Sequence, residues 1–503
     1  MQGVADPNRE LLDAASLCRQ LVAEGSVAAF LADHRRELFP DEMFEDLFPS
    51  KRGRPSIPAD VVASVMVLQS LEGLSDREAA HALTNRIDWK VACGLALTDE
   101  SFDFTVLTYW RSRLRASSSP ERIFDAVRAV VEATGVLKAR TRRALDSTLL
   151  DDAVATQDTV TQLVAQLRKV RRLVPALAAL PARVADEGRA KPLCDWSDQV
   201  ARAELVHQLV LDATDVLTES EERELSEVQA EALALLALVA GQDVEVDEGR
   251  WTIATKVATD RVISVVDPES RHMHKSRSSY RDGYKAHLVV EPETGLVTAA
   301  ALTPASRSDA KGGVELVAGE SGPLTLYADS AYASGEALAA FDAAGHTAVI
   351  KPLPLHHALE GGFTRDDFVV DHAARTATCP AGQTVTLTRA RNAVFGSRCE
   401  GCALRGRCTT NKQGRTVHLS EHDERLVANR VTFRDESAKS DYRKWRPMVE
   451  RSISWLVRGQ SRRVRFRGVA RNQQGLSTRV AAINLRRLVN LGLDYQDGWV
   501  LTT

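Results

Sequence analysis

The chain has 503 residues, 44% of them hydrophobic and 26% charged, a balance that suits two or three ordinary globular cores. No uninterrupted apolar run reaches the length of a membrane span, and the opening Met1-Gln2-Gly3-Val4-Ala5-Asp6-Pro7 lacks the charged-then-apolar order of a secretory signal, so a cytoplasmic protein is expected. The net charge of -3 conceals two segments of opposite sign: between Arg451 and Asn490 lie ten arginines with no lysine or acid, and between Asp212 and Gly249 lie twelve acids against the single base Arg223. The acidic block reads as a solvated face. The arginine block is interleaved with Trp455, Phe466, Leu485, Leu488 and Leu491, so it can fold while offering a phosphate footprint.

Residues 1 to about 50 read as a helical lead-in, with Leu11, Leu12, Leu17 and Leu21 at helix-compatible spacing, closed by the basic turn Lys51-Arg52-Gly53-Arg54-Pro55. From Pro58, Val61, Val65, Leu68 and Leu71 form one apolar stripe, Gly73 ends that helix, and Ser75-Asp76-Arg77-Glu78 is a capping box for the next. A helix-turn-helix needs this order, and so does any helical hairpin. A further helix through Ile123, Val127, Val130 and Val131 leads to Thr141 to Leu150, a segment suited to a strand that delivers Asp146 to a cleft.

From about 158 to 240 the pattern turns helical, with Val160, Leu163, Leu167 and Val170 in one stripe, Leu225, Val228, Ala232 and Leu235 in another, and a cap expected at Thr218 and Glu221. Strand signals return at Arg261 to Val266, and an antiparallel hairpin is expected from Gly283 to Val290 and Leu296 to Leu302 around Pro292-Glu293-Thr294-Gly295. Asp309 is placed to cap a helix through Val314, Leu316 and Val317. Leu324 to Asp329 reads as a buried strand ending in an acid, followed by a helix from about Gly335 to Ala343 and a strand at Ala348-Val349-Ile350.

Late in the chain, Glu450 sits among Arg443, Lys444, Arg446, Arg451 and Arg458 on a segment whose Met448, Val449, Ile453, Leu456 and Val457 recur at roughly helical spacing. An Arg446–Glu450 ion pair four residues apart is the simplest use of that acid. Convergence of Asp146, Asp329 and Glu450, spaced by 183 and 121 residues, would instead provide the carboxylates of a two-cation site for phosphoryl transfer. Cys379, Cys399, Cys402 and Cys408 have spacing that fits a tetrahedral structural Zn2+ site; free thiols, disulfides and an iron–sulfur cluster are the alternatives.

Leu145-Asp146-Ser147-Thr148, Tyr327-Ala328-Asp329-Ser330-Ala331-Tyr332, and Tyr442 through Arg446 to Glu450 resemble the three acidic motifs of bacterial insertion-sequence DDE transposases. Gly53-Arg54-Pro55, Gly73 to Glu78 and Phe104 to Arg113 resemble the amino-terminal helical domain of such enzymes, and Gly283-Tyr284-Lys285-Ala286-His287 resembles their second strand. Two features depart from the familiar pattern: the tyrosine-to-arginine spacing differs by one residue, and Arg458 stands where many relatives have a lysine one position earlier.

The resemblance implies an α/β protein with a ribonuclease H-like mixed sheet and flanking helices and an all-α amino-terminal domain, to which the residue patterns above add a helical insertion and a small zinc module. The implied divisions are 1–118 for helical DNA binding, 119–157 and 251–355 for the catalytic core, 158–250 for the insertion, 356–420 for the cysteine module and 421–503 for the carboxy-terminal helices. It implies Asp146, Asp329 and Glu450 as ligands of Mg2+ or Mn2+, with Tyr442, Arg446, Arg458, Arg462, Arg463, Arg465, Arg467, Lys285 and Arg54 contacting DNA. The implied activity is DNA cleavage at terminal inverted repeats and strand transfer into target DNA, by a homodimer or larger assembly found on the nucleoid when bound. A catalytically inactive DNA-binding relative and a nuclease without strand transfer are the rival expectations.

Overall fold

The computed structural model describes every residue except 4–11, 51, 190, 277–278 and 503, with backbone alone at 274–276 and 279. The expectations at Leu11 and Lys51 therefore lie outside the described residues.

Gly73 takes a left-handed conformation (φ 76°) that ends helix α1, Ala59–Glu72, and Ser75 and Glu78 close the capping box that opens α2, Asp76–Asn85. Helix α3, Arg122–Thr134, buries the four apolar residues named from the sequence. The lead-in differs from expectation: Leu12, Leu17 and Leu21 are exposed, while Phe30, Leu31, Phe39 and Phe44 make the core there.

The central sheet begins with β1, Arg142–Asp151. It continues with β2, Arg271–Ser276; β3, Ser279–Glu291; β4, Leu296–Pro304; β5, Thr325–Ala328; and β6, Thr347–Ile350. The order across the sheet is β4–β3–β1–β5–β6, with β2 along the first residues of β3. β3 is antiparallel to both β4 and β1, whereas β5 runs parallel to β1 and β6 parallel to β5. This mixed order fits the ribonuclease H-like fold.

Arg261 to Val266 is not a strand. Gln162 donates to the Val262 carbonyl, Gln242 accepts from the Val262 N–H, and Gln157 accepts from that of Val265. Glutamine side chains thus satisfy the backbone groups that a neighbouring strand would otherwise pair.

Between β1 and β2, helices α4, Thr159–Leu173; α5, Gln199–Ser220; and α6, Glu227–Gln242 form a separate core. α5 runs straight through Thr218, and the next cap is Ser226 with Gln229. The buried stripe of α6 is Ala232, Leu233, Leu236 and Val239, leaving Val228 exposed.

After β4 come α7, Asp309–Val317, and α8, Gly335–Ala343. The segment around Glu450 is two helices, α9, Glu436–Trp445, and α10, Pro447–Leu456, because Pro447 has no N–H to continue the ladder of α9. The last helix, α11, Val469–Asn490, is apolar on two sides. Leu476, Val480 and Ile483 pack on the sheet, and Leu485 and Leu488 join the amino-terminal helices. Full burial of each such leucine contributes roughly 1.5–3 kcal/mol, so one helix ties both layers together.

Gly283 faces Asp151 across β1 and β3 at φ 147°, and a Cβ there would lie 2.2 Å from the Leu150 carbonyl oxygen. Gly283→Ala is expected to cost about 3 kcal/mol, measured by chemical denaturation, because backbone strain arises in β3 and the clash falls on β1, the strand that carries Asp146.

Candidate active site

β1 pairs with β5 only from Arg142 to Ala144, and the two strands then part. Carrying the parallel register on by two residues sets Asp329, immediately after β5, level with Asp146. Asp329 is fixed there by capping a short 3-10 turn, its Oδ1 accepting from the Ala331 N–H at 2.9 Å. α10 crosses the same face, Val449 packing in the core with Ala144 and Leu288, and this brings Glu450 to the mouth of the split.

Arg446, at the α9–α10 junction, lies between these acids. One of its terminal nitrogens is 2.8 Å from Asp146 Oδ2 and the other 3.4 Å from Glu450 Oε1. The arginine is 4% exposed, and its Nε is buried with no hydrogen-bond partner among the described residues. The Arg446–Glu450 pair read from the sequence is present, but the shorter contact is to Asp146.

Burial pushes the Asp146 carboxyl above its ordinary pKa against the pull of Arg446, and the charge of Asp329 adds to the rise. Burial alone would lower the Arg446 guanidinium; Asp146, with Tyr442 and Glu450, holds it above its ordinary value. The Tyr442 hydroxyl is raised by burial and by Asp329, Glu450 and Asp146, with Arg446 opposing, which places its side chain within the field of all three acids. Its ring meets Phe433 edge-on at 5.2 Å.

Other predicted contacts fall differently. Lys285, expected to reach DNA, is buried, its Nζ 3.0 Å from Asp309 and donating to the Arg307 carbonyl at 2.7 Å. Arg462 and Arg463 donate to the carbonyls of Leu149 and Asp152, and Arg465 to that of Leu74. Arg54, Arg458 and Arg467 are exposed.

Sequence reading missed the role of Asp309. It is the first residue of α7, following Ser308, and does not cap it; its carboxylate accepts from Ser147 Oγ at 2.6 Å and pairs with Lys285. His287 lies nearby with Nε2 3.0 Å from Thr303 Oγ1 and, desolvated by burial, has its pKa lowered to about 4. The signal was present in strand alternation: Lys285 and His287 sit two apart within the otherwise apolar stretch Gly283 to Val290 of β3.

Cys379, Cys399, Cys402 and Cys408 are free thiols lining one cavity beneath Phe368 and Phe395. Burial raises the Cys408 thiol, Arg415 opposes, and the other three cysteines raise it further. Among the described residues, no group of three or more His, Cys, Asp or Glu side chains is placed to hold a metal ion as it stands. For the acids, the guanidinium wedged between Asp146 and Glu450 supplies a physical reason.

Asp329→Asn removes one negative charge facing Asp146. A carboxyl whose native pKa is raised confers stability in full below the ordinary aspartate value of 3.8 and loses it as pH rises through the native value. Wild type should therefore lose more stability than Asp329→Asn across that interval in thermal denaturation series, and superimposable curves would remove Asp329 from the electrostatics of Asp146.

Residues 208–485 match the family model of the Transposase DDE domain, a span that includes Asp329 and Glu450 and begins after Asp146. Residues 19–113 match that of a Transposase domain (DUF772), which covers α1, α2 and the turn between them. No curated protein and no solved structure matches the chain. With more than half its length matched, the chain belongs to the family of transposases with a DDE domain.

Proposed function

We propose that the chain cuts DNA at the ends of an insertion sequence and joins the freed 3′ end to target DNA, with Asp146, Asp329 and Glu450 as the acids that hold Mg2+ or Mn2+. The observation that carries this reading is the Arg446 guanidinium reaching both Asp146 and Glu450 where the Asp329 strand parts from β1. The donor chemistry fits: three carboxylates offer hard oxygens, and the electrostatic coupling of Asp146 to Asp329 reflects repulsion that a cation would relieve. Bound there, the metal would polarise the scissile phosphate and activate the attacking hydroxyl or water.

The chain's own residues perform the remaining work. Arg446 must leave Asp146 before the acids can close on a cation, and a DNA phosphate is an anion able to take the guanidinium in a two-pronged grip. DNA binding and metal binding are thereby coupled. The Tyr442 hydroxyl keeps its proton and can donate to a phosphate oxygen. Exposed Arg54, Arg458 and Arg467 would contact flanking phosphates of duplex ends, and synapsis of two ends calls for a dimer or larger assembly.

The reading is tested with a duplex made from the DNA flanking the coding region, incubated with purified protein and Mg2+. Wild type should nick and join it, with Asp329→Ala and Glu450→Ala slower by on the order of 1000-fold or more. Arg446→Met should bind Mn2+ more tightly than wild type in the absence of DNA. Nicking without joining would identify a nuclease, and wild type no faster than Asp329→Ala would overturn catalysis at this site.

The same reading assigns Zn2+ to the cysteine cavity, supported by four thiols around one space. Closure on the ion requires proton loss from Cys408, against its raised pKa, and inward movement of the thiols. Metal analysis should find about one zinc per chain, and Cys402→Ser should lower both zinc content and thermal midpoint. Zinc-free protein from chelator-free purification would rule the ion out.

A further inference from the structure

A second basic site lies where the amino-terminal helices meet the core. Ser75, Asp76 and Arg77 at the start of α2, with Phe104 and Thr108, form one wall; Asp151 at the end of β1, Gly459, Gln460 and residues 462–466 form the other, around a groove of about 740 Å3. The far wall is built on β1 itself, since the Val464 N–H donates to the Asp151 carbonyl at 2.8 Å and Arg463 forms a parallel bridge with Asp151.

The charge in this groove is not balanced from within. Asp76 accepts from Arg111 through both oxygens at 2.8 Å and from Gln69 at 2.7 Å, and Asp151 accepts from Arg281 at 2.8 Å. Neighbouring Glu78 is occupied by the Ser75 N–H in the capping box. The arginines facing the groove make mostly neutral contacts. Arg462, Arg463 and Arg465 donate to backbone carbonyls, and Arg77 lies 4.5 Å over the Phe104 ring, with Asp76 3.5 Å from Arg465 as the partial exception. Four cations thus line a space whose acids are already engaged, with Phe104 and Phe466 as aromatic surfaces beside them.

Arginines with flat aromatic faces beside them are what unpaired nucleotides require, since bases stack and the backbone is drawn by charge. The groove is open, and its volume has room for a few nucleotides of one strand. The groove is also close to the acids. Asp146 and Asp151 are five residues apart on β1, about 17 Å at strand spacing, a distance spanned by roughly five phosphates of a stacked strand.

We infer that this groove binds single-stranded DNA, the strand freed beside the nick. The inference rests on the transposase reading for the origin of the strand, and not for the binding itself. Binding of a labelled oligothymidine of about ten nucleotides, followed by fluorescence anisotropy in EDTA, tests it without any cleavage step. Wild type should bind the strand, and the double variant Arg77→Ala/Phe104→Leu should bind it about tenfold or more weakly with duplex affinity unchanged. Equal strand affinity in wild type and variant overturns the inference, as does an equal loss for strand and duplex. Should the variant lower the thermal midpoint, photocrosslinking of bromodeoxyuridine-substituted strand to wild type decides: attachment within 75–108 or 459–466 supports the groove, and attachment elsewhere overturns it. Failure of the cleavage assay with intact strand binding would count against the catalytic reading alone.

Discussion

The geometry of the acid cleft depends on one guanidinium. Asp146 is desolvated on β1 with Asp329 just beyond the end of the neighbouring strand, an arrangement that like-charge repulsion opposes. Arg446 offsets that repulsion by pairing with Asp146 and Glu450 together, and its own burial is tolerable only because of them. Removing Arg446 would leave the Asp146 charge largely buried and unpaired, and removing Asp146 would leave the buried guanidinium only the longer contact to exposed Glu450. Acids, arginine and helix junction therefore form one unit.

The junction itself follows from Pro447. The apolar spacing from Met448 to Val457 reads as helical, and the missing N–H interrupts the hydrogen-bond ladder from α9 and makes Arg446 the joint between two shorter helices. Val449 and Leu456 anchor α10 to the sheet, so Glu450 is carried by a fixed helix while Arg446 sits at its hinge. A side chain at a joint can change partners with little disturbance to either core. The same economy recurs in α11, whose two apolar sides serve the sheet and the amino-terminal helices at once.

Legibility in the sequence tracked how local the determining physics was. The Gly73 stop, the Ser75 capping box, the α3 stripe and the bounds of α8 depend on neighbours within a few positions, and all were readable. Arg261 to Val266 looked like a strand because its apolar run carries no trace of the glutamines, over a hundred residues earlier in one case, that take up its backbone groups. Asp309 resembled a cap for a similar reason: its partners Ser147 and Lys285 belong to strands distant in sequence. Asp146, Asp329 and Glu450 could be named as acids at element ends, but the guanidinium between two of them is a tertiary fact.

The arginine block shows how far charge counting can go. Read as a list, it suggests a uniform phosphate footprint, yet its members divide by what they touch. Arg446, just before the block, neutralises acids; Arg462, Arg463 and Arg465 hold a segment against β1 and the α1–α2 turn through carbonyls; and Arg479, pushed down to about 10 by burial beside Arg465 and Arg486, donates to the Arg458 carbonyl. Carbonyl oxygens orient a guanidinium without cancelling its charge. Arginines used in this way are fixed in position while still attracting phosphate, a better arrangement for guiding a strand than either free surface side chains or closed ion pairs. The absence of acids from Arg451 to Asn490 is what permits it, since a carboxylate in that stretch could compete for the cations that the carbonyls leave electrostatically open.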